Sequence, residues 1–265
     1  MLRLGWLSTG RDKAARDLLT TVYEAIQRKE IKGRIAFVFS NREPGEDRES
    51  DLFLELVKSY KLPLVTFSSA RFRSTSSPAR RLEYDRQIMK KIARFRAELL
   101  VLAGYMLIVG EEMCQRFPML NLHPAPPGGP RGTWQEVTWQ LIRERAQGSG
   151  VMVHLVTPQL DQGPPVAYCT YPLRGGDLDP LWREVEKRPW EEITRTGEGL
   201  PLFQAIRREG LKREFPLILA TLRALGEGDA KIKDGQVLDK NGRAIPGYDL
   251  TGEIEKALAE RGSHG

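Results

Sequence analysis

The chain has 265 residues, 40% hydrophobic and 29% charged, with 25 glycines, 17 prolines and two cysteines. That balance belongs to a globular chain able to bury its own core. It excludes a disordered chain, a disulfide-framed mini-protein and a helical membrane protein, since no apolar run nears the roughly 20 residues of a span. The net charge of +6 is concentrated: residues 71–96 hold nine Lys/Arg and two Asp/Glu, an excess of +7 that leaves −1 for the rest.

Such a stripe argues for one basic, largely solvated helix face rather than a nucleic-acid surface. Cys114 and Cys169 lack metal-ligand spacing, so no metal is expected, and the apolar run after Met1 is too short for a signal peptide. The default expectation is a cytoplasmic protein with no membrane association.

In chain order, Leu2–Leu7 is a short apolar run closed by Ser8-Thr9-Gly10. Ala15, Leu18, Leu19, Val22 and Ile26 then follow helical spacing. Ile35–Phe39 reads as a buried strand and Leu52, Phe53, Leu56, Val57 and Tyr60 as a second helix face. Leu64–Phe67 is a third strand, Ser68–Pro78 a Ser-rich loop, Ala79–Arg96 the basic helix and Leu99–Ala103 a fourth strand stopped by Gly104. Continuous apolar strands alternating with helices predict an α/β fold, a doubly wound, mostly parallel sheet of Rossmann-like type. Ligands of such sheets bind beyond the carboxyl ends of the strands.

The second half changes character. Residues 121–132 are too rich in proline and glycine for a regular element, and Thr133–Ala146 is helical. Strands are predicted at Val151–Thr157 and Pro164–Leu173, and helices at Pro180–Lys187, Leu200–Arg208 and Phe215–Leu225. A hairpin turns at Asp234-Gly235, and a last helix covers Thr251–Arg261. Residues 1–225 form the expected main domain; 226–265 form an appendage of hairpin and short helix.

Three histidines occur, and His264 is terminal. Asn121 and His123 alternate at the end of an apolar strand, so both side chains leave it on one side. An amide there can donate to a developing oxyanion and an imidazole can polarise or move a proton; a purely structural role in a Pro-rich turn fits the spacing equally well. Asp161, before Gly163-Pro164, is turn chemistry unless it faces such a group. His154, inside a strand run, reads as structural or as a supporting residue.

Leu99 to Met106, Asn121-Leu122-His123-Pro124-Ala125 and Val153 to Pro164, in this order and spacing, resemble the folate-dependent formyltransferases, in particular the branch acting on glycinamide ribonucleotide. The likeness covers about residues 1–225, with Ser40-Asn41-Arg42 and Tyr84-Asp85-Arg86 as further matches. It implies transfer of a formyl group from 10-formyltetrahydrofolate to a primary amine, with small-molecule substrates and a homodimer within the family's range. It assigns Asn121 to the oxyanion, His123 to the same charge as an imidazolium, and Asp161 to holding His123 charged and passing the amine proton towards the folate nitrogen. The folate would lie against Tyr105, Met106, Leu107, Val109 and Gln159, with Arg81 on an anionic group.

The acceptor would meet Gly10, Arg11, Asp12 and Lys13, where an anion suits the start of a helix. This chain departs from the family in that loop, which elsewhere reads Gly-Ser-Asn. It also departs at Leu107, where the family carries Arg, and after Pro124, where Ala125-Pro126-Pro127 replaces Ser-Leu-Leu. Two other readings fit the residues: a formyltransferase for an amino or nucleotide sugar, and a non-catalytic basic binding protein on this fold. A tRNA-directed transferase would carry a C-terminal β-barrel and a formyl-folate hydrolase a preceding regulatory domain, and neither is expected here.

Overall fold

The computed structural model describes residues 1–72 and 77–262. The predicted 68–78 loop lies partly, and His264 wholly, outside the described residues. The chain runs β1 (Leu2–Ser8), α1 (Lys13–Gln27), β2 (Gly33–Ser40), α2 (Arg48–Ser59), β3 (Leu64–Thr66), α3 (Pro78–Ile92), β4 (Leu99–Leu102), α4 (Glu111–Arg116) and β5 (Met119–His123). It continues through α5 (Trp134–Arg143), β6 (Gly148–Leu155), β7 (Pro165–Pro172), α6 (Leu178–Glu186), α7 (Trp190–Thr196), α8 (Pro201–Glu227), β8 (Ala230–Lys233), β9 (Gln236–Asp239), β10 (Tyr248–Asp249) and α9 (Thr251–Gly262).

Two compact units divide the chain. The first holds residues 1–122, 154–164 and 219–245; the second holds 123–153, 165–218 and 246–265. Residues 226–265, set apart in the sequence reading, are thus shared between them.

In the first unit the strand order is β5-β4-β1-β2-β3, and β1 with β2, β1 with β4, β2 with β3 and β4 with β5 pair parallel. Strand β1 is the centre, with Leu4, Trp6 and Leu7 fully buried. It has no side chain to spare at Gly5, where a Cβ would stand 2.5 Å from both Leu100 and Phe37. The chain winds outward from β1 to β3, then returns to β4 on the other side, so the direction reverses between β1 and β4. That reversal is where open α/β sheets bind ligands. Helices α1 and α2 start alike: Asp12 accepts from the Ala15 amide and Asp47 from the Ser50 amide, each at 2.9 Å.

Part of the basic stretch on and just after α3 is engaged locally. Arg86 pairs with Glu112 at 2.8 Å, Lys91 stands over the Phe67 ring and Arg94 over Phe95. Asp234 and Gly235, both at positive φ, turn the β8–β9 hairpin where the sequence placed it.

In the second unit the order is β10-β7-β6, with β10 parallel to β7. Helix α5 opens with a capping box, Thr133 and Glu136 each serving the other's backbone. Phe203 of α8, fully buried, lies between Trp134 and Trp139 with ring centroids at 5.7 and 4.8 Å.

Several elements differ from the sequence expectation, β10 among them, which the sequence reading does not predict. The predicted helices 200–208 and 215–225 are one helix of 27 residues that runs through Pro216. Buried Arg213 holds the middle of that helix in register, bonding Glu209 one turn back and Glu255 of α9. Gly210 lets the Tyr171 hydroxyl approach, since a Cβ there would lie 3.3 Å from it. Helices α4 and α7 are six and seven residues long, too short to display a periodicity. Among the described residues no helix is long and apolar enough to cross a membrane.

Replacing Phe203 by Ala removes the ring that both α5 tryptophans touch. The substitution is expected to cost about 3–5 kcal/mol in urea unfolding.

Candidate active site at the carboxyl ends of the strands

Parallel pairing brings the loops after β1 and β4 out at the same edge. Thr9, almost fully buried, ties them together. Its amide donates to the Gly104 carbonyl at 3.1 Å, and its Oγ1 accepts from the Met106 amide at 3.0 Å. Its carbonyl in turn accepts from Ser50 Oγ at 3.0 Å. Sequence reasoning passed over Thr9; the signal available was a small hydroxyl residue between the end of an apolar strand and a glycine.

Beyond Thr9 the 104–110 segment alternates. Tyr105 and Val109 are buried and Leu107 packs partly on the same core, while Met106 and Ile108 are 42% and 43% exposed. The Tyr105 ring meets Phe39 edge-on, and burial pushes its phenol well above the usual range. The side chains presented outward are therefore Met106 and Ile108, the second of which the sequence reading did not single out. Leu160, on the loop after β6, is also exposed, at 48%. Large apolar side chains left in solvent at strand ends suit a flat apolar ligand. Gln159 is exposed, and its carbonyl accepts from Thr157 Oγ1 at 3.0 Å. Arg81 is half-buried on α3, one turn before Asp85, whose carboxyl burial pushes up and Arg81 only partly offsets.

At the first loop, Gly10 adopts φ +66°, and a Cβ there would run into Phe53 at 2.7 Å. Asp12 is the cap of α1 and lies 3.9 Å from Arg11. Lys13 is bound to Asp17 on its own helix at 2.6 Å. Both cations stand beside a carboxylate, Lys13 in the closer pair and Arg11 in the looser one.

A buried polar cluster joins the ends of β5 and β6. Asn121 Nδ2 lies 3.1 Å from His154 Nε2 and 3.4 Å from Asp161 Oδ1, and His154 Nε2 lies 3.7 Å from that same oxygen. His154 Nδ1 faces the Leu155 carbonyl at 2.8 Å, so Nδ1 carries a hydrogen. On a neutral ring Nε2 is then an acceptor, and the Asn121 amide donates to it. The structure thus brings His154, read as structural or supporting, directly onto two of the predicted catalytic residues. The partner found for the ring of His123 is the Pro130 carbonyl, 2.8 Å from Nε2, within the second unit.

Asp161 sits at φ +53°, a left-handed conformation that costs an L-residue roughly 1–2 kcal/mol and that Asp tolerates better than most. Gly163 makes this turn possible. A Cβ there would stand 1.7 Å from the Leu155 carbonyl oxygen, so only glycine lets the chain fold back against β6. The return is sealed by the Leu155 amide donating to the Pro164 carbonyl at 2.9 Å.

The formyl transferase family matches residues 13–177, which include Asn121, His123, His154 and Asp161. A phosphoribosylglycinamide formyltransferase of Escherichia coli (strain K12) is 28% identical over 164 residues, 61% of this chain and 70% of the relative. The phosphoribosylglycinamide formyltransferase structure from Coxiella burnetii superposes with a TM-score of 0.69 at 18% identity, covering 94% of this chain and 98% of the other. A formyltetrahydrofolate deformylase from Pseudomonas syringae pv. tomato gives 0.65 at 18% identity, covering 90% of this chain and 65% of the other. At these identities the two structures speak for a shared fold.

Gly163→Ala is expected to displace the Asp161 loop and destabilise the protein by about 1–3 kcal/mol or more. Thermal unfolding checks it, with a fall of about 2–10 °C expected.

Proposed function

Since the chain belongs to the formyl transferase family, we propose that it moves a formyl group from 10-formyltetrahydrofolate to the primary amine of glycinamide ribonucleotide. The observation that carries this reading is the meeting of Asn121 and Asp161 at the strand ends, on residues 40 apart in sequence. The relatives named for the glycinamide ribonucleotide reaction support the choice of acceptor.

The cosubstrate supplies an activated formyl carbon and a nitrogen able to leave. The attacking amine forms a C–N bond to that carbon, and the bond to the folate nitrogen breaks. Asn121 donates from Nδ2 to the oxygen on which negative charge develops. In the resting cluster Nδ2 is turned to His154 and Asp161, and the 3.4 Å contact to Asp161 is the weaker of the two. Exchanging that contact for the oxyanion leaves His154 holding the amide in place and releases the Asp161 carboxylate. Asp161 then takes the proton of the attacking amine and passes it, through water, towards the departing nitrogen. His123 as imidazolium adds charge stabilisation.

Met106, Ile108 and Leu160 offer an apolar surface that fits the folate ring. Arg11, in the looser of the two ion pairs, is the cation for the acceptor phosphate, since Lys13 is held more closely by Asp17. The deformylase likeness raises a second reading, water as the acceptor. Release of formate without added amine would favour it.

His123→Ala and Asp161→Asn are each expected to lower kcat by about 10²-fold or more with folate affinity kept within several-fold. Asn121→Ala should cost about 10²–10³-fold. Wild-type turnover in any of the three would reject the assignment. In titrations with glycinamide ribonucleotide, Arg11→Ala is expected to weaken binding about 10-fold or more, and Lys13→Ala far less. Absence of binding to the wild type would reject this acceptor.

A further inference from the structure

The 104–110 segment is fastened at two points. One is Thr9 Oγ1 on the Met106 amide. The other is Asp85 of α3, which is 3% exposed and accepts the Gly110 amide on Oδ2 at 2.6 Å. Between these points stand the two exposed side chains, Met106 and Ile108.

Gly110 has φ −79° and ψ 165°, an extended conformation open to any residue, so the backbone does not require glycine here. The carboxylate does. A Cβ on Gly110 would stand 2.7 Å from Asp85 Oδ2. The glycine and the buried acid are therefore matched across the contact.

We propose that Asp85 is a positioning residue for the formyl-donor site: its carboxylate grips the Gly110 amide and so fixes the outward face of the 104–110 segment for the folate ring. The inference rests on the reading that this segment takes the folate.

The contact is kept against an electrostatic cost. Burial is the largest influence on the Asp85 carboxyl and pushes it up to about 6, against the lowering effects of the Gly110 amide and Arg81. Glu112 on α4 adds to the rise, and the buried hydroxyls of Tyr84 and Tyr105 and the Cys114 thiol feel the same charge. A carboxyl raised in the folded state favours folding below about pH 4, and that advantage is lost as pH rises through about 6. At neutral pH the ionised group therefore opposes folding. An acid retained only for stability would not be buried in this way.

The test uses the full chain, tetrahydrofolate as probe, and two substitutions on opposite sides of the contact, Asp85→Asn and Gly110→Ala. Asp85→Asn mimics the protonated group that the wild type itself carries below about pH 6, and so is expected to fold. Both variants should speed hydrogen exchange over residues 104–110 and weaken tetrahydrofolate binding roughly tenfold at pH 7.5. Wild-type affinity should fall between pH 7.5 and 5, while that of Asp85→Asn stays flat. The stability of Asp85→Asn relative to wild type should be greatest at pH 7.5 and shrink towards pH 5. Arg86→Gln, which removes only the exposed pair to Glu112, should change neither exchange nor affinity. Unchanged exchange over 104–110 in both variants would overturn the fastening. Faster exchange with unchanged affinity and pH profile would overturn its role in folate binding. A wild type that does not bind tetrahydrofolate would overturn the folate reading itself, with the exchange measurement still deciding whether Asp85 holds the segment.

Discussion

The parallel pairing of β1 with β4 is the constraint from which the first unit's site is built. Leu4 to Leu7 lie opposite Leu99 to Leu102, so both strands end level and both loops emerge at one edge. The pairing tolerates no slip. A shift of one residue would turn Trp6, fully buried, to the opposite face and carry Gly5 away from the place where Leu100 and Phe37 leave no room for a side chain. Thr9 then extends the pairing past the strands with three hydrogen bonds, converting a sheet edge into a fixed loop cluster.

The site itself is held under local conditions that a purely stable protein would avoid. Asp161 occupies a left-handed backbone conformation, Gly163 is pressed against a carbonyl oxygen, and Asp85 is an almost fully buried acid. Each is tolerated because a rigid neighbour over-determines it. Formyl transfer places a small polar reaction beside a large flat ligand. On the proposed reading, the buried polar groups at β5 and β6 and the outward apolar groups after β4 and β6 divide those two tasks.

The same division separates what is familiar in the chain from what is altered. The Asn121–Asp161 half keeps the residues that the resemblance implies, and its geometry depends on the end of β5 and on the tight turn at Gly163. The first loop does not. Asp12 takes the helix cap and lies 3.9 Å from Arg11, and Lys13 turns to Asp17, so on the proposed reading Arg11 would meet an anion that small side chains and backbone amides would otherwise receive.

The sequence by itself determined the alternating strands and helices of the first half, because continuous apolar runs and 3.6-residue periodicity are local properties of the chain. It also marked Asn121, His123 and Asp161 as candidates, and the β8–β9 turn through Asp234-Gly235. It could not fix what depends on residues far apart in sequence. Helix α8 passes Pro216 with Arg213 bound to Glu255, 42 residues on. His154 belongs with Asn121 and Asp161 only once β6 is folded. Tyr105 and Val109 turn inward while Met106 and Ile108 turn outward because the core of Phe39 and its neighbours claims alternate side chains of the segment. Asp85 reads as one acid in a basic helix until α4 brings the Gly110 amide to it. Tertiary structure decided these because each is a contest between desolvation and partner, and a side chain's partner is known only when the chain has closed upon it.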